Sequence, residues 1–331
     1  MASLYDVARL AGVSKSTVSR VINNESGVSD KARVRVALAI EECGYVVNQI
    51  AKDLKSSKSH LVGVIVPRIS SHAVYRGVEG LTRGLEKAGK QLLLANSGLQ
   101  TTKELEYIAL FKQKRVEGII MFATHIDDEL SSAIHKTQIP VILVGQDGTR
   151  HGFPSVIHDD YRVGYLAAQK LMAKDCSRIG FLGVDTADIA VGQQRYQGFA
   201  EALQQGMLQP CFHQQGEFTI LSGQHEMSQV IAQGIEFDGI FCATDKIAVG
   251  AIQALRAANR SPGDDVYVVG VGNDEMSAVI TPSLSTFDLS FTEAGERAAL
   301  MLLELIDSKD WQRANKITLG IDWVPRSSCP D

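Results

Sequence analysis

Two short helical patterns separated by a tight turn occupy residues 4–23, LYDVARLAGVSKSTVSRVIN. Ser3 stands where a residue can cap the first helix, and Asp6 follows three positions later, as in an acidic capping box. Gly12 predicts the end of that helix, because glycine adopts left-handed backbone geometry without steric cost. The sequence therefore predicts a helix, a glycine turn and a second helix.

The second helix has one apolar and one polar face. Ser14 is placed to cap it, and Val18, Val21 and Ile22 recur at helical spacing and are predicted to face inward. The other face carries short or forked hydrogen-bond donors, which suit a helix that reads base edges in a major groove. These candidate DNA-binding residues are Lys15, Ser16, Thr17, Ser19, Arg20 and Asn23. Two helices and a glycine turn alone also allow an amphipathic hairpin packed on a larger domain.

The order of residues over the whole stretch favours the DNA-binding interpretation. Residues 5–23, followed by Val28-Ser29 and then Gly44-Tyr45, closely resemble the DNA-binding headpiece of the LacI/GalR family of bacterial sugar-responsive repressors. The motif is long and gapless. The resemblance implies phosphate contacts from Tyr45 and Asn48, and it adds Tyr5 and Ser14 to the DNA-binding set.

A third helix is predicted at about residues 29–43, where it would brace the other two. Val34, Ala37, Leu38 and Glu41 are predicted to mark its inner stripe.

Residues 48–55, NQIAKDLK, form a short helical pattern followed by a polar linker, SSKSH. Such a short helix is marginal in water, and composition alone favours a plain tether. The family resemblance instead implies a hinge helix that forms on DNA. Leu54 would then wedge into a minor-groove step, and Lys55 would lie beside the phosphates.

The charge is divided unevenly along the chain. Residues 1–59 contain nine Lys or Arg and six Asp or Glu, a net charge of +3, whereas the whole chain of 331 residues has −5. Residues 60–331 therefore carry −8. A basic head on an acidic body is typical of a nucleic-acid-binding module joined to a core that DNA repels.

Composition excludes several classes of protein. No apolar run approaches the ~20 residues of a membrane helix, and the chain does not open like a secretion signal. The five cysteines are scattered, without zinc-ligand spacing. Together these features predict a cytoplasmic protein with free thiols and no membrane association.

From residue 61 onward, buried strand patterns such as LVGVIV and GIIMF alternate with helical patterns. This alternation predicts an α/β core with parallel sheets covered on both faces. Two such series predict two doubly wound lobes, like those of periplasmic sugar-binding proteins. We expect a helix-turn-helix headpiece at 1–47, a hinge and linker at 48–59, a first lobe at 60–159 plus 289–318, and a second lobe at 160–288 plus 319–331. Residues 316–324, KITLGIDWV, are predicted to form the last strand. The family resemblance implies that the chain crosses between the lobes three times, near residues 158–160, near residues 286–289 and near Leu319.

Polar residues at the carboxyl ends of the predicted strands are candidates for binding a small molecule in the cleft between the lobes. They are Arg68, Gln146, Asp147, Arg195, Asp245 and Asn273. The family resemblance favours Arg195, in the motif R-x-x-G-[FY], and Asp245, in CATDKIAVGA. At 272–273 this chain has Gly-Asn where the family usually has an Asp pair. Arg68 replaces the more usual acid or amide and could pair with a phosphate.

Nothing in the core indicates an enzyme. The partial G-x-G at 270–272 lacks a third glycine, and no nucleophile motif occurs. His158-Asp159-Asp160 could suggest metal ligands, but polar residues at a crossover between lobes explain the triplet more simply. We expect no cofactor and no metal. The sequence predicts a homodimeric repressor that binds operator double-stranded DNA and is released by a sugar or sugar phosphate, with sucrose-related and trehalose phosphate effectors favoured. A corepressor-type regulator and a sugar-binding protein without a regulatory role are the alternatives.

Overall fold

The computed structural model describes residues 2–23, 25–45, 59–308 and 314–331. The chain forms two compact units, Met1–Ser59 and His60–Asp331, which are considered separately below. The predictions for Asn48, Leu54 and Lys55 lie outside the described residues.

The first unit contains the helices α1 (Leu4–Ala11), α2 (Lys15–Ile22) and α3 (Asp30–Cys43). Ser3 and Asp6 form the expected reciprocal capping box, and Gly12 ends α1 in the left-handed conformation, with φ of 60°. The Ser14 side chain accepts a hydrogen bond from the backbone N–H of Thr17 at 3.1 Å. The predicted helix-turn-helix is therefore confirmed, and its ends are fixed by local capping.

The inner face of α3 differs from the prediction. Ala32, Val36 and Ala39 are buried, whereas Val34 and Leu38 are 59% and 60% exposed. The predicted stripe was wrong because apolar residues occur on both faces of this helix, so helical spacing alone does not decide which face packs. The fully buried Val36 shares its cluster with two other fully buried valines, those of α1 and α2.

The second unit contains two six-stranded sheets. The first has the strand order β11-β5-β4-β3-β1-β2, and all its pairs are parallel. Its elements are β1 (Leu61–Val66), α4 (His72–Lys87), β2 (Gln91–Asn96), α5 (Thr101–Gln113), β3 (Gly118–Phe122), α6 (Asp128–Thr137), β4 (Val141–Val144), β5 (Ser155–His158), α12 (Phe291–Ser308) and β11 (Lys316–Leu319).

The second sheet has the order β12-β10-β9-β8-β6-β7, with only the β10–β12 pair antiparallel among the described strands. Its elements are α7 (Asp160–Met172), β6 (Ile179–Val184), a π-helical turn (Ile189–Gln194), α8 (Arg195–Gln205), β7 (His213–Gly216), α9 (Ile220–Ala232), β8 (Gly239–Cys242), α10 (Asp245–Ala257), β9 (Tyr267–Val271), α11 (Glu275–Val279), β10 (Ser285–Asp288) and β12 (Asp322–Val324). The predicted two-lobed, mostly parallel α/β core is confirmed.

Among the described elements, the chain passes between the two sheets three times, after β5, after β10 and after β11. The last strand predicted at 316–324 is divided into two strands, and the division falls at the crossing expected near Leu319. Residues Lys316–Leu319 pair with β5 in the first sheet, while Asp322–Val324 pair with β10 in the second. The chain changes sheets at Gly320, so one apolar run supplies an edge strand to each lobe.

Helices α7 and α8 touch through two glycines. A Cβ on Gly164 would lie 1.8 Å from the carbonyl oxygen of Arg195, and one on Gly198 would lie 1.9 Å from that of Tyr161. Only a residue without a side chain allows this backbone approach. The contact fixes the start of α8, where Arg195 is located.

No helix in the described ranges is long and apolar enough to cross a membrane.

Candidate functional site

The polar face of α2 presents hydrogen-bonding groups to solvent. Lys15, Ser16 and Arg20 are exposed, while Thr17 is half-buried. The Oγ of Ser14 lies 2.7 Å from Ser16 Oγ and 2.9 Å from Thr17 Oγ1. The cap thus also orients the two hydroxyls that follow it, at the end of the helix that enters a groove in helix-turn-helix proteins.

The remaining candidates of this face make local contacts. Arg20 lies 4.0 Å from Glu25, and the Asn23 amide donates to Ser19 Oγ at 3.4 Å. Lys15 Nζ lies 4.9 Å from the centroid of the exposed Tyr5 ring. Tyr45 differs from the others, because its half-buried ring packs against the apolar cluster of the headpiece.

A cavity of about 220 Å³ lies between the two sheets of the second unit. It is bounded by strand ends and helix starts from both lobes, where ligands bind in open α/β folds. Four of the six predicted residues line it: Arg68, Gln146, Arg195 and Asp245.

Arg195 is buried in the cavity wall with 4% exposure. Its Nε donates to Asp160 Oδ1 at 2.7 Å, and its Nη2 lies 2.6 Å from the same oxygen. Its Nη1 donates to the carbonyl oxygen of Ala243. A guanidinium has five N–H donors in a fixed fork, so these three contacts orient the group and leave donors for a ligand.

Asp245, at the start of α10, is 1% exposed and held by the protein itself. Oδ1 accepts from the Thr286 hydroxyl at 2.5 Å, and Oδ2 accepts from Ser277 Oγ at 2.7 Å and Asp274 N–H at 2.8 Å. Burial raises the pKa of Asp245, against the effect of these hydrogen bonds. The carboxyl group therefore ties α10 to α11 and β10 beneath the cavity.

Arg68 reaches across the cleft from the end of β1. Its guanidinium carbon lies 3.7 Å from the centroid of the Phe218 ring, a cation–π contact. Its Nε is buried and has no hydrogen-bond partner among the described residues. Burial lowers the pKa of Arg68, while the carboxylates of Asp188 and Glu217 act in the opposite direction. An arginine so placed remains charged at neutral pH.

Two predicted residues do not line the cavity. Asp147 accepts hydrogen bonds from Lys316 Nζ at 2.6 Å and from Thr149 Oγ1 at 2.6 Å. Burial raises the pKa of Asp147, but these bonds outweigh that effect and lower the pKa to about 2. Asn273 donates to Asp288 at 2.9 Å and accepts from Arg326 at 2.6 Å. Each side chain turns to a neighbouring loop or strand instead of the cleft.

Several lining residues were not predicted as ligand contacts. They include His72, His158, Asp160, Asp188, Phe218, Lys246 and Phe291. Asp188 lies four residues after the end of β6, so a search for polar residues that continued four residues beyond each predicted strand would have included it. Burial raises the pKa of Asp188, against the opposing effects of the hydrogen bond from Val191 N–H and of the positive charges of Arg195 and Arg68.

Two further contacts join the lobes beside Arg68. Lys246 Nζ donates to the carbonyl oxygen of Ser70 at 2.7 Å, and His72 Nδ1 lies 3.6 Å from Asp274 Oδ2. The segment from the end of β1 to the first residue of α4 therefore contacts the second lobe at three residues, Arg68, Ser70 and His72.

Within the described ranges, no cluster of three or more His, Cys, Asp or Glu side chains could hold a metal ion.

Comparison with known proteins bears on both units. The family description "Bacterial regulatory proteins, lacI family" matches residues 3–48, and "Periplasmic binding protein-like domain" matches residues 168–329. The sucrose operon repressor of Staphylococcus xylosus is 33% identical over 311 residues, which cover 92% of this chain and 94% of the relative. This chain belongs to the LacI family. Other LacI-family relatives include the ribose operon repressor of Bacillus subtilis, at 32% identity over 92% of both chains. The regulator TreR of Salmonella typhimurium is 29% identical over 93% of this chain and 94% of its own.

Two solved structures of transcriptional regulators show the same fold. A lac repressor dimer bound to operator and the anti-inducer ONPF superposes with a TM-score of 0.89 at 26% identity, covering 100% of this chain and 99% of that one. A complex of the regulator CelR with cellobiose gives a TM-score of 0.75 at 26% identity over 99% and 100% of the two chains. These relatives are transcriptional regulators, which agrees with the function predicted from the headpiece motif.

Proposed function

We propose that this protein is a sugar-responsive transcriptional repressor that binds operator DNA as a homodimer in the cytoplasm and is not an enzyme. One observation carries the proposal: the same chain has a capped helix with an exposed donor face and, in its second unit, a cavity lined by polar and aromatic side chains. Its relatives are named as repressors of sugar operons.

In this proposal α2 reads the operator. Lys15, Ser16 and Arg20 are the exposed donors on that face, and Ser14 and Thr17 hold its first turn in shape. Ser19, Asn23 and Tyr5 extend the same surface, and Tyr45 is the proposed phosphate contact. Asn48, Leu54 and Lys55 keep their proposed hinge roles in DNA binding and bending.

The effector is proposed to be a sugar held in the cavity. Sugars need paired donors and acceptors for neighbouring hydroxyls and an apolar face beside them. Arg195 and Asp188 supply charged hydrogen-bonding groups, and Phe218 and Phe291 supply aromatic surface. Arg68 and Gln146 add donors from the first lobe. Asp147 and Asn273 would act from outside the cavity, by holding the neighbouring chain segments.

Sugar binding would change how the two lobes close on each other and thereby weaken the hold of the hinge on DNA. The domain boundaries proposed for this mechanism are 1–47, 48–59, 60–159 plus 289–318, and 160–288 plus 319–331. The coupling between the two sites is reciprocal. A corepressor would have the opposite sign, so an operator titration with and without ligand separates the two alternatives.

A thermal-shift screen tests the proposal for the cavity. The panel contains sucrose, trehalose, trehalose 6-phosphate, ribose and cellobiose. A sugar present at 100 times its Kd should raise the free energy of unfolding by about 2.7 kcal/mol. A protein whose Tm is unchanged by every sugar in the panel would contradict the sugar-responsive function.

Arg68 distinguishes a phosphorylated from a neutral effector. We expect Arg68→Met to weaken binding of trehalose 6-phosphate by about 10- to 100-fold, because a charge-assisted pair is lost, and to change trehalose binding by less than about 3-fold. Methionine keeps an apolar side chain against Phe218. Calorimetric titration of both variants measures this. If the unaltered protein binds trehalose as tightly as its phosphate, Arg68 does not select a phosphate.

Ser16 tests base reading by α2. We expect Ser16→Ala to weaken binding to the selected operator by about 1–3 kcal/mol and to leave binding to random DNA nearly unchanged. The matched control is Ser26→Ala, a serine outside the helices of the headpiece. Fluorescence anisotropy with both DNAs separates the outcomes, since equal losses on both would mean that Ser16 contacts only the backbone.

A further inference from the structure

His158, the last residue of β5, places an unpaired polar atom in the cavity wall. The side chain is 7% exposed, and its Nε2 has no hydrogen-bond partner among the described residues. It lines the same cavity as Arg68 and Arg195. Buried polar atoms are almost always paired, so this nitrogen needs a partner from outside the protein.

The other contacts of the ring define what kind of partner it needs. A ring N–H of His158 donates a hydrogen bond to the backbone carbonyl oxygen of Leu289, a contact that raises the pKa of the ring. Because Nε2 is unpaired, that N–H belongs to Nδ1. Burial lowers the pKa of His158, so the ring is neutral near pH 7. A neutral imidazole protonated on Nδ1 has its lone pair on Nε2, which is therefore an acceptor.

The ring is held firmly at the junction of the lobes. His158 pairs with Leu319 where β11 ends, and its ring is bonded to Leu289 between β10 and α12. These three residues lie in the three segments that cross between the sheets. The ring also meets Phe291 edge-on, with centroids 5.1 Å apart and planes at 81°. Nε2 therefore has a fixed direction.

The charged groups around the ring do not supply a donor to Nε2. Asp160 and Asp288 are acceptors, and Arg195 directs Nε and Nη2 to Asp160 and Nη1 to Ala243. The donor must then come from a molecule in the cavity. A sugar hydroxyl is a donor of the right size that can at the same time accept from a guanidinium N–H.

We propose that His158 is a specificity-determining residue whose Nε2 accepts a hydrogen bond from one hydroxyl of the sugar effector. The proposal rests on the sugar-binding function proposed above. A sugar lacking that hydroxyl leaves the nitrogen unpaired, and a site built around a buried hydrogen bond rejects such analogues strongly. His158 thereby selects among sugars by the presence of one hydroxyl donor at one position.

Asparagine and glutamine variants separate this role from a purely structural one. The amide of His158→Asn can replace Nδ1 and keep the bond to Leu289, but it does not reach the position of Nε2. The longer side chain of His158→Gln brings an amide oxygen to that position. A structural role therefore predicts that Asn restores function, whereas the acceptor role predicts that Gln does.

The experiment is calorimetric titration of the unaltered protein and both variants. The probe is the sugar with the largest shift in the thermal screen, with sucrose and trehalose 6-phosphate tested first. It is compared with its monodeoxyfluoro analogues, in which one hydroxyl donor at a time becomes fluorine.

We expect one analogue to bind the unaltered protein about 10-fold more weakly than the parent sugar. His158→Asn should bind the parent sugar about 10-fold more weakly and no longer distinguish that analogue, while His158→Gln should stay within about 3-fold of the unaltered protein. Equal affinities for the parent sugar in all three proteins, or equal losses in both variants, would overturn the proposed role of His158 but leave the proposed sugar-binding function standing. An unaltered protein that binds no sugar of the panel overturns the sugar-binding function and this contact with it.

Discussion

Arg195→Lys is expected to reduce sugar affinity by at least about 100-fold, because lysine replaces a planar fork of donors with a single charge. Lysine keeps a positive charge near Asp160, which Arg195 contacts at 2.6 Å. Alanine would leave that buried carboxylate unpaired, at a cost of about 3–5 kcal/mol in the free energy of unfolding, and would confuse lost binding with lost stability.

Calorimetry with the best sugar of the thermal screen measures this effect. The matched control is Arg178→Lys, since Arg178 forms an exposed ion pair with Glu236 at 2.8 Å and lies outside the cavity. Operator binding by the sugar-free variant should be unchanged, because the headpiece is a separate unit. Sugar binding by Arg195→Lys within about 3-fold of the unaltered protein would mean that the guanidinium fork does not hold the ligand.

Gly164→Ala is expected to destabilise the second unit by about 3 kcal/mol or more and to weaken sugar binding along with it. The new Cβ would lie 1.8 Å from the carbonyl oxygen of Arg195, so α7 and α8 must separate. That displacement moves the start of α8 and with it the guanidinium in the cavity wall.

Gly320→Ala is the matched control for this change, since a Cβ there meets no atom within 4 Å. Chemical denaturation and sugar titration of both variants give the two readouts. A Gly164→Ala protein as stable as Gly320→Ala would show that the helices can move apart without cost.

Features fixed by neighbouring residues could be predicted from the sequence. The caps at Ser3 and Ser14 and the turn at Gly12 depend on contacts within three or four residues. The alternation of buried strands and helices likewise gave the two-lobed α/β core. By contrast, the short strands β5 and β10 carry few apolar residues and were not predicted as strands, because partner strands on both sides define them more than their own residues do.

The sequence predicted where the cavity lies but only some of the residues that line it. Strand ends indicate the edge of a sheet where ligands bind, but they do not indicate which way each side chain turns. Asp147 turns to Lys316, which is 169 residues away in sequence, and Asn273 turns to Asp288. At His158 the sequence indicated only a polar crossover between the lobes. That Leu289 bonds the ring while Nε2 has no partner depends on the folded positions of segments far apart in sequence.

One titration measures the coupling between sugar binding and operator binding. The full chain is titrated into a fluorescent duplex carrying its selected operator, with and without the best sugar of the thermal screen at saturating concentration, and Kd is read from anisotropy. We predict that the sugar weakens operator binding by roughly 5- to 150-fold. An operator Kd that is unchanged or lowered by the bound sugar would contradict release by a sugar.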